Sequence, residues 1–187
     1  MHIVVCKDYE EMSRRAAEIV AEQIKKRPDG LISFPGGDTP LGMVHVFADM
    51  VSEGKVDISR THYVSLDEWV GLSNEDEGSC GLFNQQNLLS RLQHPFAGTH
   101  IIPLSETTLK VMTKYFGEKF HPTQGISQGI RQIMAAKTVI LIANGAHKAE
   151  ILKKAVHDPV TNEVPASVLQ NHPNCYVVAD EAAAALL

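Results

Sequence analysis

Two adjacent carboxylates, Asp67 and Glu68, follow the apolar run Tyr63-Val64-Ser65-Leu66. A carboxylate pair at a strand terminus can move protons, because a crevice that desolvates one member raises its pKa toward neutrality. A solvated acidic turn, or a helix cap, is the competing account of the same pair. The second chemistry-bearing stretch is Phe34-Pro35-Gly36-Gly37-Asp38-Thr39-Pro40, where an apolar run gives way to a glycine turn. Thr39 reads as an N-cap there, with Pro40 at the first helical position. Free N–H groups and the positive end of a helix dipole at such a junction hold phosphate or carboxylate. The stretch is neither G-x-G-x-x-G nor a loop ending in G-K-[ST], so it is neither the dinucleotide fingerprint nor the nucleoside-triphosphate loop. Asp38 repels an anion unless its carboxylate faces away, and an ordinary tight turn is the alternative. The third stretch, Asn144-Gly145-Ala146-His147-Lys148, puts Lys148 in the first turn of a helix. A cation there opposes the helix dipole by about 0.3–1 kcal/mol, which a bound anion nearby would offset; a solvated lysine is the other reading.

Other reactive residue types lack a pattern. The nine histidines form no H-E-x-x-H motif and no i, i+4 pair, so no metal site is expected. Ser33, Ser65 and Ser79 lack the G-x-S-x-G setting of a hydrolase nucleophile. Cys6, Cys80 and Cys175 are far apart with no C-x-x-C pair, which reads as buried reduced thiols rather than a zinc or disulfide framework.

The elements that must position these groups alternate. Residues 3–6 form an apolar run, and Asp8 with Glu11 makes a capping box. Met12, Ala16, Val20 and Ile24 then line one helix face up to Pro28. Strands are expected at 31–34, 63–66, 100–103, 139–143 and 176–179. Helices are expected from Thr39 with Leu41, Val44, Ala48 and Val51 inward, and over 80–92, 106–116, 123–136, 146–156 and 165–170. Apolar strands alternating with amphipathic helices predict an open, mostly parallel α/β sheet flanked by helices, a Rossmann-like three-layer fold. In such folds ligands collect at the carboxyl ends of strands, where all three stretches fall.

At 187 residues the chain suits a single domain over 1–187. With 44% hydrophobic and 21% charged residues it is globular rather than disordered. A formal net charge of −5 and no basic block argue against nucleic acid as a partner. There is no apolar run long enough for a membrane span and no leader pattern at the N-terminus, so a cytoplasmic protein is expected.

The longer motifs go further. Ser65-Leu66-Asp67-Glu68-Trp69-Val70-Gly71-Leu72 resembles the D-E-[YW]-V-G-L motif of the glucosamine-6-phosphate deaminase family. Residues 35–40 resemble that family's phosphate loop, and 122–130 with Ile133-Met134-Ala135-Ala136-Lys137 its P-x-x-[AG]-[IL]-[ST]-x-G-I and I-M-x-A-K segments. Lys148-Ala149, then Val164–Gln170 with His172-Pro173, complete the series in the family's order. The resemblance implies a cofactor-independent isomerase acting on a small sugar phosphate and releasing ammonia. It makes Asp67 the base that shuttles a proton between C2 and C1 of the open-chain sugar. It makes Gly36, Gly37, Asp38 and Thr39 the phosphate cradle, with Lys148 adding charge and Lys114 standing where the family has a lid arginine. A lysine lacks arginine's bidentate fork, so it grips phosphate less specifically. A homo-oligomer stays open. Trp69 after the acidic pair favours the deaminase over a 6-phosphogluconolactonase, which carries an arginine there; a non-catalytic sugar-phosphate sensor is the rival from another class.

One departure is large. The family has a further strand followed by G-x-G-x-[DN]-G-H-x-[AG]-F-N-E-P, the source of its ring-opening histidine, but here Leu104 runs directly into Ser105. By motif comparison roughly fifty residues are missing. Either they stand outside this sequence or they are deleted. Losing a central strand would strip facing helices of their sheet, which favours the first; a true deletion predicts little turnover.

Overall fold

Val177, Val178 and Ala179 are fully buried because the strand that carries them is paired on both sides. In the computed structural model, which describes residues 1–73, 75–100 and 125–187, this strand is β8 (Cys175–Asp180). It lies parallel to β1 (His2–Cys6) and to β7 (Val139–Ala143), with Ile3, Leu141 and Val177 in register. The edge strands are less covered, and Ile3 and Val5 of β1 are exposed. Leu152 of α5 (Ala149–His157) packs with Ala143, Val177, Ala179 and Ala183 into one core cluster.

The chain divides into two compact units, one of Met1–Val20 with Gly129–Leu187 and one of Ala21–Gln128. The second unit has its own parallel sheet, β2 (Leu31–Phe34), β3 (His62–Ser65) and β5 (Gly98–His100), in that order. A separate antiparallel pair joins β4 (Asp67–Trp69) to β6 (Gly125–Ser127). The expected α/β class with open parallel sheets and intervening helices is what the molecule has. Its described strands fall into separate ladders rather than one continuous sheet.

Helix α1 (Tyr9–Lys26) begins at the expected Asp8 cap, but Glu11 reaches back to Lys7 N, one residue before the N–H a capping box uses. Asp8 Oδ1 accepts from Glu11 N at 2.8 Å, and Glu11 Oε2 accepts from Lys7 N at 2.9 Å. Met12, Ala16, Val20 and Ile24 are all buried. Helix α2 (Asp38–Ser52) starts two residues earlier than read, since Gly37 is its N-cap and Thr39 is not. Pro40 remains in the first turn, where its missing N–H costs nothing. Leu41 is only half-buried; Met43 and Phe47 join Val44, Ala48 and Val51 on the inner face.

Three other readings change. The strand expected at 63–66 ends at Ser65, and Asp67–Trp69 is a second short strand. The helix expected over 80–92 is α3 (Cys80–Asn87) followed by a 3-10 turn, Leu89–Arg91. Within 123–136, Gly125–Ser127 is strand, and only Ile130–Ala135 (α4) is helix. The cause is non-local, since three-residue strands have too little alternation to read and are fixed only by pairing with each other. Lys148 closes a 3-10 turn, Ala146–Lys148, just before α5, and 165–170 is also 3-10 helix. The strand residues 101–103 and the helix 106–116 lie outside the described residues, as does the Leu104–Ser105 junction.

Candidate active site

The unit Ala21–Gln128 contains both the glycine loop and the acidic pair. Strand β2 delivers the loop: after Phe34 the chain turns through Gly36 and Gly37 into α2. Gly37, the N-cap of α2, has φ 107° and ψ 179°, a backbone region open to glycine. Asp38 is exposed and Thr39 half-buried.

Strand β4 delivers the carboxylates, and its two acids have different surroundings. Glu68 is buried, and its oxygens accept from Trp69 N at 2.8 Å, Cys80 N at 2.9 Å and Gly81 N at 2.5 Å. It is therefore the cap of α3, the bland account of the pair. Ser79 completes the cap, its Oγ accepting from Leu82 N at 2.9 Å. Asp67 receives none of these amides. Burial, reinforced by the neighbouring Glu68 charge and opposed by a hydrogen bond from the Cys80 thiol, pushes its carboxyl up to about 6. A carboxylate so poised can both take and return a proton near neutrality.

Gly36 and Gly37 face Gly78, Ser79, Cys80 and Phe83 across a cleft of about 400 Å³. Two helix starts border it, but those of α3 are already filled by Glu68 and Ser79. The N-cap residue of α2 is Gly37, which has no side chain to cap with. Glu77 also lines the cleft, and no Lys or Arg does among the described residues. Cys80 lines the cleft and also acts on the Asp67 carboxyl, opposing the rise that burial causes.

Of the residues expected to act together, Asp67, Gly36, Gly37, Asp38 and Thr39 thus share one unit. Lys148 belongs to the other unit, half-buried. The Gly145 amide beside it donates to both oxygens of Asp180, at 3.0 and 2.9 Å. Lys114 lies outside the described residues. Sequence reasoning passed over Ser79, although a serine before a helical run is a readable cap signal. Nothing local marks Cys80, whose neighbours come from β4 and the loop. All three cysteines are free and buried, as expected. Among the described residues no three His, Cys, Asp or Glu side chains are grouped to hold a metal, and no helix is long and apolar enough to cross a membrane.

No family model matches the chain. A curated glucosamine-6-phosphate deaminase from Clostridium perfringens (strain 13 / Type A) is 30% identical over 241 residues, spanning 100% of both chains. The chain belongs to the glucosamine-6-phosphate deaminase family. In that alignment it fills 187 of 241 positions, leaving 54 without a counterpart. Among solved structures, a monomeric glucosamine-6-phosphate deaminase superposes with a TM-score of 0.90 at 22% identity, covering 100% of each chain. The 6-phosphogluconolactonase of Trypanosoma brucei gives 0.71 at 14% identity, covering 100% of this chain and 98% of its own. Both likenesses concern the fold.

Proposed function

We propose that the protein converts a hexosamine 6-phosphate to a ketose 6-phosphate and ammonia, with Asp67 as the proton-transfer base. The observation that carries the reading is a buried carboxyl pushed up to about 6, in the same compact unit as a cleft lined by the glycine turn that opens α2. Family membership supports the substrate class. In this reading the sugar's phosphate docks at Gly36, Gly37 and the Asp38 and Thr39 amides, with Lys114 and Lys148 supplying positive charge. Asp67 removes the C2 proton of the open-chain sugar, a double bond forms between C1 and C2, and the proton returns at C1. Hydrolysis of the resulting imine at C2 releases ammonia. Positioned acid–base groups suffice, so no cofactor is needed. A cytoplasmic location belongs to the same reading, supported by the three free, buried thiols.

Asp67→Asn tests it. Ammonia release from glucosamine 6-phosphate should fall at least about a hundredfold, while calorimetric affinity for the phosphosugar stays within about twofold. Full activity in the variant would remove the base assignment. The 54 unmatched positions favour one second reading, a sugar-phosphate binder without turnover. Thermal stabilisation by phosphosugars with no ammonia released would select it. Hydrolysis of 6-phosphogluconolactone in place of deamination would select the lactonase.

A further inference from the structure

We propose that Gln128 is a positioning residue of this site: its side-chain amide clasps the carboxyl ends of β2 and β3 and thereby fixes the strand that carries Asp67. The inference rests on the reading of Asp67 as the base and adds a residue to it.

Asp67 stands where the chain changes partners. Up to Ser65 the chain is β3, in register with β2, Phe34 opposite Ser65. Leu66 still donates its N–H to Phe34 O at 3.2 Å, but its carbonyl accepts from Gln128 N at 3.0 Å. From Asp67 onward the partner is β6, with Asp67 opposite Ser127. A ladder of two three-residue strands is marginal by itself and takes its position from what anchors it. Past Asp67 the anchors are Glu68, bonded to the first amides of α3, and the buried Trp69. Before Asp67 the anchor is Gln128.

Its side chain reaches back over the strand ends. Gln128 Nε2 donates to Ser33 Oγ at 2.9 Å and to Ser65 O at 3.3 Å. The two hydrogens of one amide thus serve two strands, β2 and β3. Ser65 O is a backbone carbonyl and can only accept, so the NH2 end of the side chain has to face it. Both acceptors sit just upstream of the chemistry: Ser33 precedes Gly36 by three residues, and Ser65 precedes Asp67 by two. One amide therefore spans the strand that leads into the glycine turn and the strand that leads into the base. Ser33 and Ser65, which have no nucleophile setting, are what Gln128 holds. Gln128 is half-buried, and it follows a three-residue strand that no local pattern reveals.

Gln128→Leu keeps most of the side-chain bulk and removes both donors. In the folded variant, kcat for ammonia release from glucosamine 6-phosphate should fall about tenfold while KM stays within about twofold, because a displaced base loses transition-state geometry rather than ground-state binding. Hydrogen exchange read by mass spectrometry should quicken at 65–69 and 125–127 and stay unchanged in β8. Ser33→Ala removes one of the two acceptors and should lower kcat about threefold, and the double variant should be no slower than Gln128→Leu alone. An unchanged kcat in folded Gln128→Leu, a rise in KM alone, exchange at 65–69 that is unaltered or that quickens equally in β8, or losses that multiply in the double variant would overturn the proposal. Should Gln128→Leu fail to fold, Ser33→Ala decides alone: a lowered kcat with KM held supports the clasp, and an unchanged kcat overturns it. The exchange readout needs no turnover. Exchange that quickens only at 65–69 and 125–127, in a protein that releases no ammonia, keeps the clasp and discards the deaminase reading. Ammonia release at the wild-type kcat in Gln128→Leu does the reverse.

Discussion

Asp67 and Glu68 are covalent neighbours, yet one is a cap and the other is held near neutrality. The difference is where the amides are. Trp69, Cys80 and Gly81 all turn their N–H groups to Glu68. Asp67 is left with burial and one thiol, and its carboxyl rises from 3.8 to about 6. In the proposed role of base it must be ionised, so kcat/KM should fall about tenfold per unit as pH drops below about 6, read from a pH–rate profile. The same shift has a sign for stability. A carboxyl whose folded pKa lies above its unfolded value favours the folded state below the unfolded pKa, and that contribution is lost as pH rises through about 6. Asp67→Asn removes the dependence. Its stability relative to wild type should therefore be greater at pH 8 than at pH 4 by up to about 3 kcal/mol, measured by denaturant unfolding at both. From sequence, the pair was legible as a site with two open roles. Which member took which role was not, because the deciding amides come from residues twelve and thirteen positions on from Glu68.

At the scale of elements, what was legible had a local cause. The strands β2 and β7 match the runs read at 31–34 and 139–143, and α1 its Asp8 cap and one apolar face. What was missed depends on distant partners. β4 and β6 exist through each other, Asp67 opposite Ser127 and Trp69 opposite Gly125. The start of α3 depends on Glu68 in the same way. Glu68→Gln would set an amide NH2 against donors and lose charge-assisted hydrogen bonds at a buried position. A loss of about 3 kcal/mol is expected in chemical denaturation. Ser79→Ala, which removes one neutral cap bond, should cost about 1 kcal/mol. Equal losses would show that Glu68 is not the main hold on α3.

For the molecule as a whole, the alternation of strand and helix gave the class correctly, and the motif order gave the family. The division of the described strands into separate ladders was not foreseen, because which strands pair is set by segments far apart in sequence. Ligand binding should register in global stability. Glucosamine 6-phosphate at a hundred times its Kd is expected to stabilise the fold by about 2.7 kcal/mol. On the proposed docking of the phosphate at the glycine turn, glucosamine at the same concentration should leave Tm unmoved. Matching shifts from both compounds would remove the loop from the binding account.

The filled amides of α3 limit what the cleft can accept. Because Cys80, Gly81 and Leu82 already donate inward, a sugar phosphorylated at both ends finds a second rim with nothing to offer and Glu77 to repel it. On the proposed reading, a hexose 1,6-bisphosphate is therefore expected to bind no tighter than the corresponding 6-monophosphate in competition calorimetry.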